Sequence, residues 1–202
     1  MKVKDLGFQP YSETLQAMQD FTSNREVQTE DELWLLEHHA VFSQGTNGQK
    51  EHLLGLGDIP LVQSDRGGQV TYHGPGQLVA YTLFDLKRYR LGIRNMVSIL
   101  ENSVIDMVSA YGFSAKSRSD APGVYVEDRK LASLGLRVKR GACYHGISIN
   151  VDMDLSPFLS INPCGYQGME MINLTDLGIS MTMEQAKQQF VNALQAQMSL
   201  NT

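Results

Sequence analysis

Two side chains in this sequence sit in local settings that suit nucleophilic or acid–base chemistry. Cys164 stands in Asn162-Pro163-Cys164-Gly165-Tyr166. Pro163 fixes the backbone before it and Gly165 frees the backbone after it, so a sharp turn presents one side chain with amides nearby. A free cysteine has a pKa near ~8.5, so little of it is thiolate at neutral pH, and a positive neighbour raises that fraction. The same residue also reads as an inert, buried thiol. Lys130 opens an apolar run, Lys130-Leu131-Ala132-Ser133-Leu134-Gly135. It is either a solvated turn residue or, if drawn inward, an amine that can give and take a proton.

Histidines add further candidates. In Cys143-Tyr144-His145-Gly146-Ile147-Ser148-Ile149, strand alternation puts His145 on one face with Ile147 and Ile149, as a core histidine or as a group that shapes a site. His38 and His39 are adjacent and would face opposite ways in a strand. No CxxC, HxxxH or HExxH spacing occurs, so a metal site is not expected.

A third feature is the dozen residues Arg66-Gly67-Gly68-Gln69-Val70-Thr71-Tyr72-His73-Gly74-Pro75-Gly76-Gln77. Glycine lets a backbone approach a bound molecule and take φ > 0. Arg66 offers a planar fork of donors, and His73 can donate, accept or carry a proton. The stretch reads as a substrate-facing loop between two strands, or as a glycine-rich hairpin with no ligand.

The elements that must position these groups follow from periodicity. Residues 10 to 27 read as a helix, with Tyr11, Leu15, Met18 and Phe21 or Thr22 on one face. Glu32 to His38 reads as a buried strand, with Val41-Phe42 continuing or following it. Residues 43 to 60 read as mostly connection, with a mobile polar loop from Ser43 to Lys50. Gln69 to Tyr72 and Leu78 to Phe84 read as strands. Arg94 to Ala110 carries Val97, Leu100, Val104, Met107 and Val108 on one face, with Gly112 as its stop. Val124 to Val126, Leu131 to Val138 and Tyr144 to Val151 read as three strands, turned at Asp128-Arg129 and at Arg140-Gly141-Ala142. Thr182 to Met198 reads as a terminal helix that Thr182 and Gln185 cap reciprocally. Strands in hairpin-like runs with packed helices predict an α+β fold, a mixed or antiparallel sheet covered by helices.

Composition bounds the rest. The 202 residues predict one domain, 1–202, with a sizeable core. Hydrophobic residues make up 42% and charged residues 19%, which suits a globular chain. A net charge of -5 argues against general nucleic-acid binding, though not against a local basic patch. The start Met1-Lys2-Val3-Lys4-Asp5-Leu6 lacks the apolar run of an export signal, and no stretch reads as a membrane span. The expected setting is the cytoplasm, with Cys143 and Cys164 as free thiols.

Three blocks, RGGQVTYHGPGQLVAY, APGVYVEDRKLASLGLRV and CYHGISINVDMDLSPFLSINPCGYQGMEM, together resemble the lipoyl(octanoyl) transferases of lipoate assembly. The likeness runs from about Leu33 to Met171, and its blocks are long and ordered. It implies the fold shared with lipoate ligases and the catalytic domain of biotin protein ligases. It implies that octanoyl passes from octanoyl-acyl carrier protein to a lysine of apo lipoyl domains, the first step of endogenous protein lipoylation. The acceptors it implies are the lipoyl domains of 2-oxoacid dehydrogenases and the glycine cleavage H protein. The family's nucleophile falls on Cys164 and its paired lysine on Lys130. Its substrate contacts fall on Arg66 to His73, on Ser133, Leu134 and Gly135, and on Gly146, Ile147 and Ser148.

Thioester to amide is downhill, so the expected reaction needs no cofactor, nucleotide or metal. An eight-carbon chain needs an apolar slot, for which Gly67, Gly68, Gly135 and Gly146 leave volume. An acidic carrier needs a basic surface on an acidic enzyme. Lys87-Arg88-Tyr89-Arg90 with Arg94 is the favoured candidate, and Arg137 with Lys139-Arg140 the second. Two rival readings are an ATP-dependent lipoate or biotin ligase and a non-catalytic scaffold for carrier or lipoyl domains.

Overall fold

The run Glu32-Leu33-Trp34-Leu35-Leu36 is apolar almost without alternation because both of its faces are covered. Leu33 and Leu35 pack into one core, while Trp34 and Leu36 pack into another on the opposite side. The structure, a computed structural model, describes residues 1–201. Its strands are β1 (Lys2–Gln9), β2 (Glu32–His38), β3 (Val41–Gln44), β4 (Leu61–Gln63), β5 (Val70–His73), β6 (Gln77–Asp85), β7 (Ala115–Ser117), β8 (Gly123–Val126), β9 (Arg129–Lys139) and β10 (Ala142–Asn150). Its α-helices are α1 (Tyr11–Ser23), α2 (Ile93–Ser109) and α3 (Met183–Asn201). The fold is α+β with mixed sheets, as expected.

A seven-stranded sheet runs in the order β1-β2-β6-β10-β9-β8-β7, and a three-stranded sheet in the order β4-β3-β5. In the large sheet β1 and β2 are parallel, and β2, β6, β10, β9, β8 and β7 pair antiparallel in turn. Met96, Ile99, Leu100 and Val104 of α2, with Phe190 and Leu194 of α3, cover one face of the large sheet. Tyr11, Leu15 and Met18 of α1 lie on the other face, against Trp34, Val79, Tyr81 and Tyr144. The small sheet packs its Phe42, Val70 and Tyr72 onto Phe158 and Ile161, forming a third cluster.

The local signals explain most boundaries. Thr182 accepts the Gln185 N–H at 3.2 Å and Gln185 Oε1 accepts the Thr182 N–H at 2.8 Å, the reciprocal cap its sequence predicts. Arg140 and Gly141, at φ 55° and 90°, make the tight turn between β9 and β10. The turn between β8 and β9 is shifted from expectation. Glu127 and Asp128 hold the positive φ values of 50° and 66°, so Arg129 already belongs to the strand. Helix α1 ends at Ser23, short of residue 27. The expected mobile loop is instead tied down. The amides of Gly45, Thr46 and Asn47 donate to the carbonyls of Gln69, Arg66 and Gly68. Ser43 and Gln44 are part of β3, and Lys50–His52 forms one turn of 3-10 helix. Among the described residues no helix is long and apolar enough to cross a membrane.

Candidate active site

Cys164 lies at the middle of the short 3-10 turn Pro163–Gly165, and its own φ is 56°. A non-glycine residue in the left-handed region is held there against a steric cost. The turn is closed by two amides, Gly165 donating to the Asn162 carbonyl at 3.0 Å and Tyr166 to that of Pro163 at 3.1 Å. Those two donors are therefore committed to shaping the turn. Asn162 N–H in turn donates to the His52 carbonyl, which anchors the turn to the 50–52 segment.

Lys130 comes to this turn from β9 with its side chain fully buried. Its Nζ donates to Cys164 Sγ at 2.9 Å and lies 5.3 Å from the centre of the Tyr125 ring. Its backbone is fixed by a parallel bridge to Met171. The Lys130 amide donates to the Glu170 carbonyl, and the Ile172 amide donates to the Lys130 carbonyl. A buried amine head needs a polar partner, and here the sulfur accepts its hydrogen bond and the ring offers an electron-rich face. The sequence left Lys130 between solvent and interior, and the fold turns it inward.

Beside Cys164 a cleft of about 480 Å³, part of it open to solvent, separates the large sheet from β5. Arg66, Gly68, Gln69, Val70, Thr71, His73, Ser133, Leu134, Gly135, His145, Gly146, Ile147, Ser148 and Cys164 all line it. Tyr11 of α1 and Val79 and Tyr81 of β6 complete the walls. Sequence reasoning missed these three, because only packing of α1 and β6 against the same sheet face brings them there. Tyr72, by contrast, points to the opposite side of β5, into the cluster with Phe42 and Phe158. Gly67 is not a wall residue. Its amide donates to the Leu136 carbonyl at 3.0 Å and docks the loop on β9.

The glycines act mainly by letting backbone approach backbone. A Cβ on Gly146 would run into the Ala80 carbonyl of β6, and one on Gly135 would come 3.0 Å from the Gly67 carbonyl. The expectation that these residues leave volume for an acyl chain is thus corrected for Gly146 and Gly135. They bring strand to strand and loop to strand.

The motif residues Arg66, His73 and Gln77 form one directional chain of hydrogen bonds. Arg66 Nη2 donates to the Ser43 carbonyl at 2.6 Å and to its Oγ at 3.0 Å, and Nη1 donates to the Gly67 carbonyl at 3.0 Å. The Arg66 fork thus braces the loop against β3 rather than standing open. With its oxygen accepting from Arg66, the Ser43 hydroxyl donates to His73 Nε2 at 3.2 Å. His73 Nδ1 then donates to Gln77 Oε1 at 2.7 Å, and Gln77 Nε2 donates to Asn150 Oδ1 at 3.0 Å. Only the neutral ring satisfies this order, and burial beside His38 also pushes His73 well below its ordinary value.

His145 departs from its strand's alternation. Its φ is 62°, which turns the ring away from the face of Ile147 and Ile149 and onto that of Tyr144, with which it stacks. Its Nε2 lies 2.8 Å from Asp65 Oδ1, and the Tyr144 hydroxyl donates to Asp65 Oδ2. Burial acts to raise the Asp65 carboxyl, but the bonds from His145 and Tyr144 outweigh it and hold the group well below the usual carboxylate range. Burial lowers His145 in spite of Asp65. The pair is therefore a carboxylate accepting from a neutral imidazole. His38 is buried while His39 is exposed, as adjacency predicted. Burial pushes His38 down to about 4. Cys143, within the helix-covered core, is pushed up to about 11 by burial.

The two basic candidates are not equivalent. Arg88 is a brace: Nη1 pairs with Asp31 at 2.7 Å, and Nη2 donates to the carbonyls of Val27 and Thr29. Asp31 is buried and also holds Arg25 at 2.7 Å. Arg88 is therefore committed to bracing the fold and does not stand free as a docking charge. Arg137 lies on β9 beside Leu136, whose carbonyl accepts the Gly67 amide of the Arg66–Gly68 loop.

Residues 10–195 match the family described as the lipoyl protein ligase A/B catalytic domain. Among curated relatives, an octanoyltransferase of Vibrio vulnificus is 56% identical over 196 residues, covering 95% of this chain and 90% of the relative. An octanoyltransferase of Shewanella halifaxensis is 51% identical over 201 residues, covering 100% and 92%. Among solved structures, a lipoate-protein ligase A bound with ATP aligns with a TM-score of 0.78 at 15% identity, covering 98% of this chain and 86% of that one. A bi-partite lipoate protein ligase from Thermoplasma acidophilum aligns with a TM-score of 0.77 at 15% identity, covering 98% and 83%. The biotin protein ligase of Aquifex aeolicus in complex with biotin and ATP is more distant, with a TM-score of 0.58 at 11% identity, covering 98% and 70%. At these identities the solved structures show a shared fold.

Proposed function

This chain belongs to the lipoyl protein ligase A/B catalytic domain family, among its octanoyltransferases, and from that premise we propose a cysteine- and lysine-dependent acyl transfer carried out by one catalytic domain. The donor is octanoyl-acyl carrier protein, and the acceptor is a lysine of an apo lipoyl domain. The observation that carries the reading is the 2.9 Å contact from Lys130 Nζ to Cys164 Sγ at the mouth of the cleft.

The chemistry runs in two balanced halves. The Cys164 thiolate attacks the thioester carbonyl, and the bond from that carbon to the carrier's sulfur breaks. The departing sulfur takes a proton from the Lys130 ammonium, leaving a neutral acyl-enzyme and a neutral amine. The acceptor lysine then attacks the acyl-enzyme carbonyl, and the bond to Cys164 breaks. Its surplus proton returns to Lys130, which restores the starting thiolate–ammonium pair. The apolar walls from Val70, Val79 and Leu134 receive the chain, each buried methylene contributing ~0.8 kcal/mol. Arg137 and Arg140 steer the acidic carrier. We place the reaction in the cytoplasm, where the thiol stays reduced.

An ATP-dependent ligase of the same fold would activate a free acid and would leave Cys164 without a covalent role. Intact-mass measurement after mixing the protein with octanoyl carrier protein, without nucleotide, decides between them. A mass increase of one octanoyl group supports the transfer. Loading only with free octanoic acid and ATP overturns it, and no loading in either case favours the scaffold.

A further inference from the structure

A buried ammonium needs an anion, and in the cycle above Cys164 serves only part of the time. Once the sulfur carries the acyl group it is neutral, so it offers no charge to the ammonium that re-forms as Lys130 takes the acceptor's proton. A carboxylate stands close behind the lysine. Glu101 lies on the buried face of α2, between Leu100 and Val104, and is 6% exposed. Its Oε1 accepts the Gly123 N–H of β8 at 2.8 Å. Gly123 is in turn pressed against the lysine. At φ 141° it leaves so little room that a Cβ would come to 2.7 Å from Lys130 Cε and would overlap the Ala132 carbonyl. Helix α2, strand β8 and the lysine stem thus form one packed stack, with the carboxylate fixed to the glycine that the stem crosses.

We propose that Glu101 is a positioning residue and the standing counter-charge of Lys130: it holds Gly123 against the lysine stem and makes the lysine a stronger base when the acceptor amine must lose its proton. This rests on the acyl-transfer reading. The titratable groups that face Lys130 are Cys164 from the 163–165 turn, Tyr125 from β8 and Glu101 from α2. Arg118 lies over the Tyr125 ring at 5.2 Å, and Glu170 meets the lysine through its backbone carbonyl. Burial raises the Glu101 carboxyl, while the Gly123 N–H and the Lys130 charge pull it back down. One carboxylate and one thiolate around one ammonium have a definite consequence. Glu101 opposes the thiolate in the free enzyme and, in the acyl-enzyme, favours passage of the acceptor's proton onto the neutral Lys130 amine.

Glu101→Gln separates charge from structure, because its amide oxygen still accepts from Gly123. Without any acyl donor, the rate of Cys164 alkylation is followed against pH. The curve for Glu101→Gln lies at lower pH than that of the parent, while Glu101→Asp, which keeps the charge, stays near the parent curve. Starting from preloaded octanoyl enzyme, transfer to a lipoyl domain is several-fold slower in Glu101→Gln. Unfolding midpoints confirm that the variants compared are folded. Coincident alkylation curves for Glu101→Gln and the parent overturn the proposal, since a purely structural tie survives this substitution. If the parent never carries octanoyl, the acyl-transfer reading fails by itself, and the alkylation comparison still decides whether Glu101 is coupled to the lysine–cysteine pair.

Discussion

Lys130 Nζ and Cys164 Sγ lie 2.9 Å apart although 34 positions separate them in the chain. Strand β9 supplies one and a strained turn supplies the other. Their contact is made possible by the Lys130–Met171 bridge, which brings the segment after the turn alongside the start of β9.

Cys164 is expected to be the only residue that carries octanoyl. Cys143 is buried in the helix-covered core and pushed up to about 11, so its thiol is neutral and out of reach. Cys164→Ser then shows no octanoyl thioester by intact mass, while Cys143→Ser accumulates it as the parent does. Acyl mapped to Cys143 would reverse the assignment.

Removing the lysine acts on both halves of the reaction. Lys130→Ala slows alkylation of Cys164 at neutral pH and lowers turnover by about a hundredfold or more, the usual scale for a lost acid–base group. Lys130→Arg retains a positive charge beside the sulfur but cannot give up its proton. It is expected to keep part of the alkylation rate and to lose turnover. Full turnover in the arginine variant would remove proton transfer from the role of Lys130.

Three buried histidines give the fold a pH dependence. His38, His73 and His145 all lie below their ordinary value because burial disfavours their charge. The unfolded chain takes up these protons near pH ~6.5, whereas the folded chain refuses them. Their contribution is therefore complete above that pH and is lost as pH falls toward the folded values. For His38, a drop from 6.5 to about 4 corresponds to roughly 3 kcal/mol at most. Urea midpoints measured from pH 7.5 down to 4.5 are expected to fall steadily. Midpoints that stay level across this range would mean that the histidines are not held neutral.

Carrier docking is expected at Arg137 and Arg140. Charge reversal of this pair weakens carrier use through the association rate, and the effect fades at high salt because exposed charges are screened over ~8 Å at physiological ionic strength. A small octanoyl thioester reacts with the variant at the parent rate. Arg88→Glu behaves differently. It leaves the buried Asp31 short of a partner, so its main effect is a lower unfolding midpoint. Unchanged carrier kinetics for the Arg137 and Arg140 reversal at low salt would move the docking site elsewhere.

Much of this arrangement is written locally. The apolar period of α2, the Thr182–Gln185 cap, the Arg140-Gly141 turn and the Pro-Cys-Gly presentation of Cys164 each depend on neighbours within a few residues, so the sequence alone determines them. The substrate contacts that the resemblance implies line the cleft except for Gly67 and Tyr72, while Tyr11, Val79 and Tyr81 line it without having been named. Other features are set by distant partners. Strand β1 alternates weakly and exists through parallel pairing with β2. The inward turn of Lys130 depends on the turn at Cys164, and Tyr11 reaches the cleft because α1 lies across the sheet. His145 breaks its own alternation, since its φ of 62° points the ring toward Asp65, 80 positions away. Glu101 on the apolar face of α2 was a visible signal, a carboxylate where a hydrophobe is expected, but its meaning depends on Gly123 and Lys130. Local periodicity reports which face a residue takes within its own element. Which charge meets which across the core is decided only when the elements pack, because burial makes an unpartnered charge costly and a well-placed partner decisive.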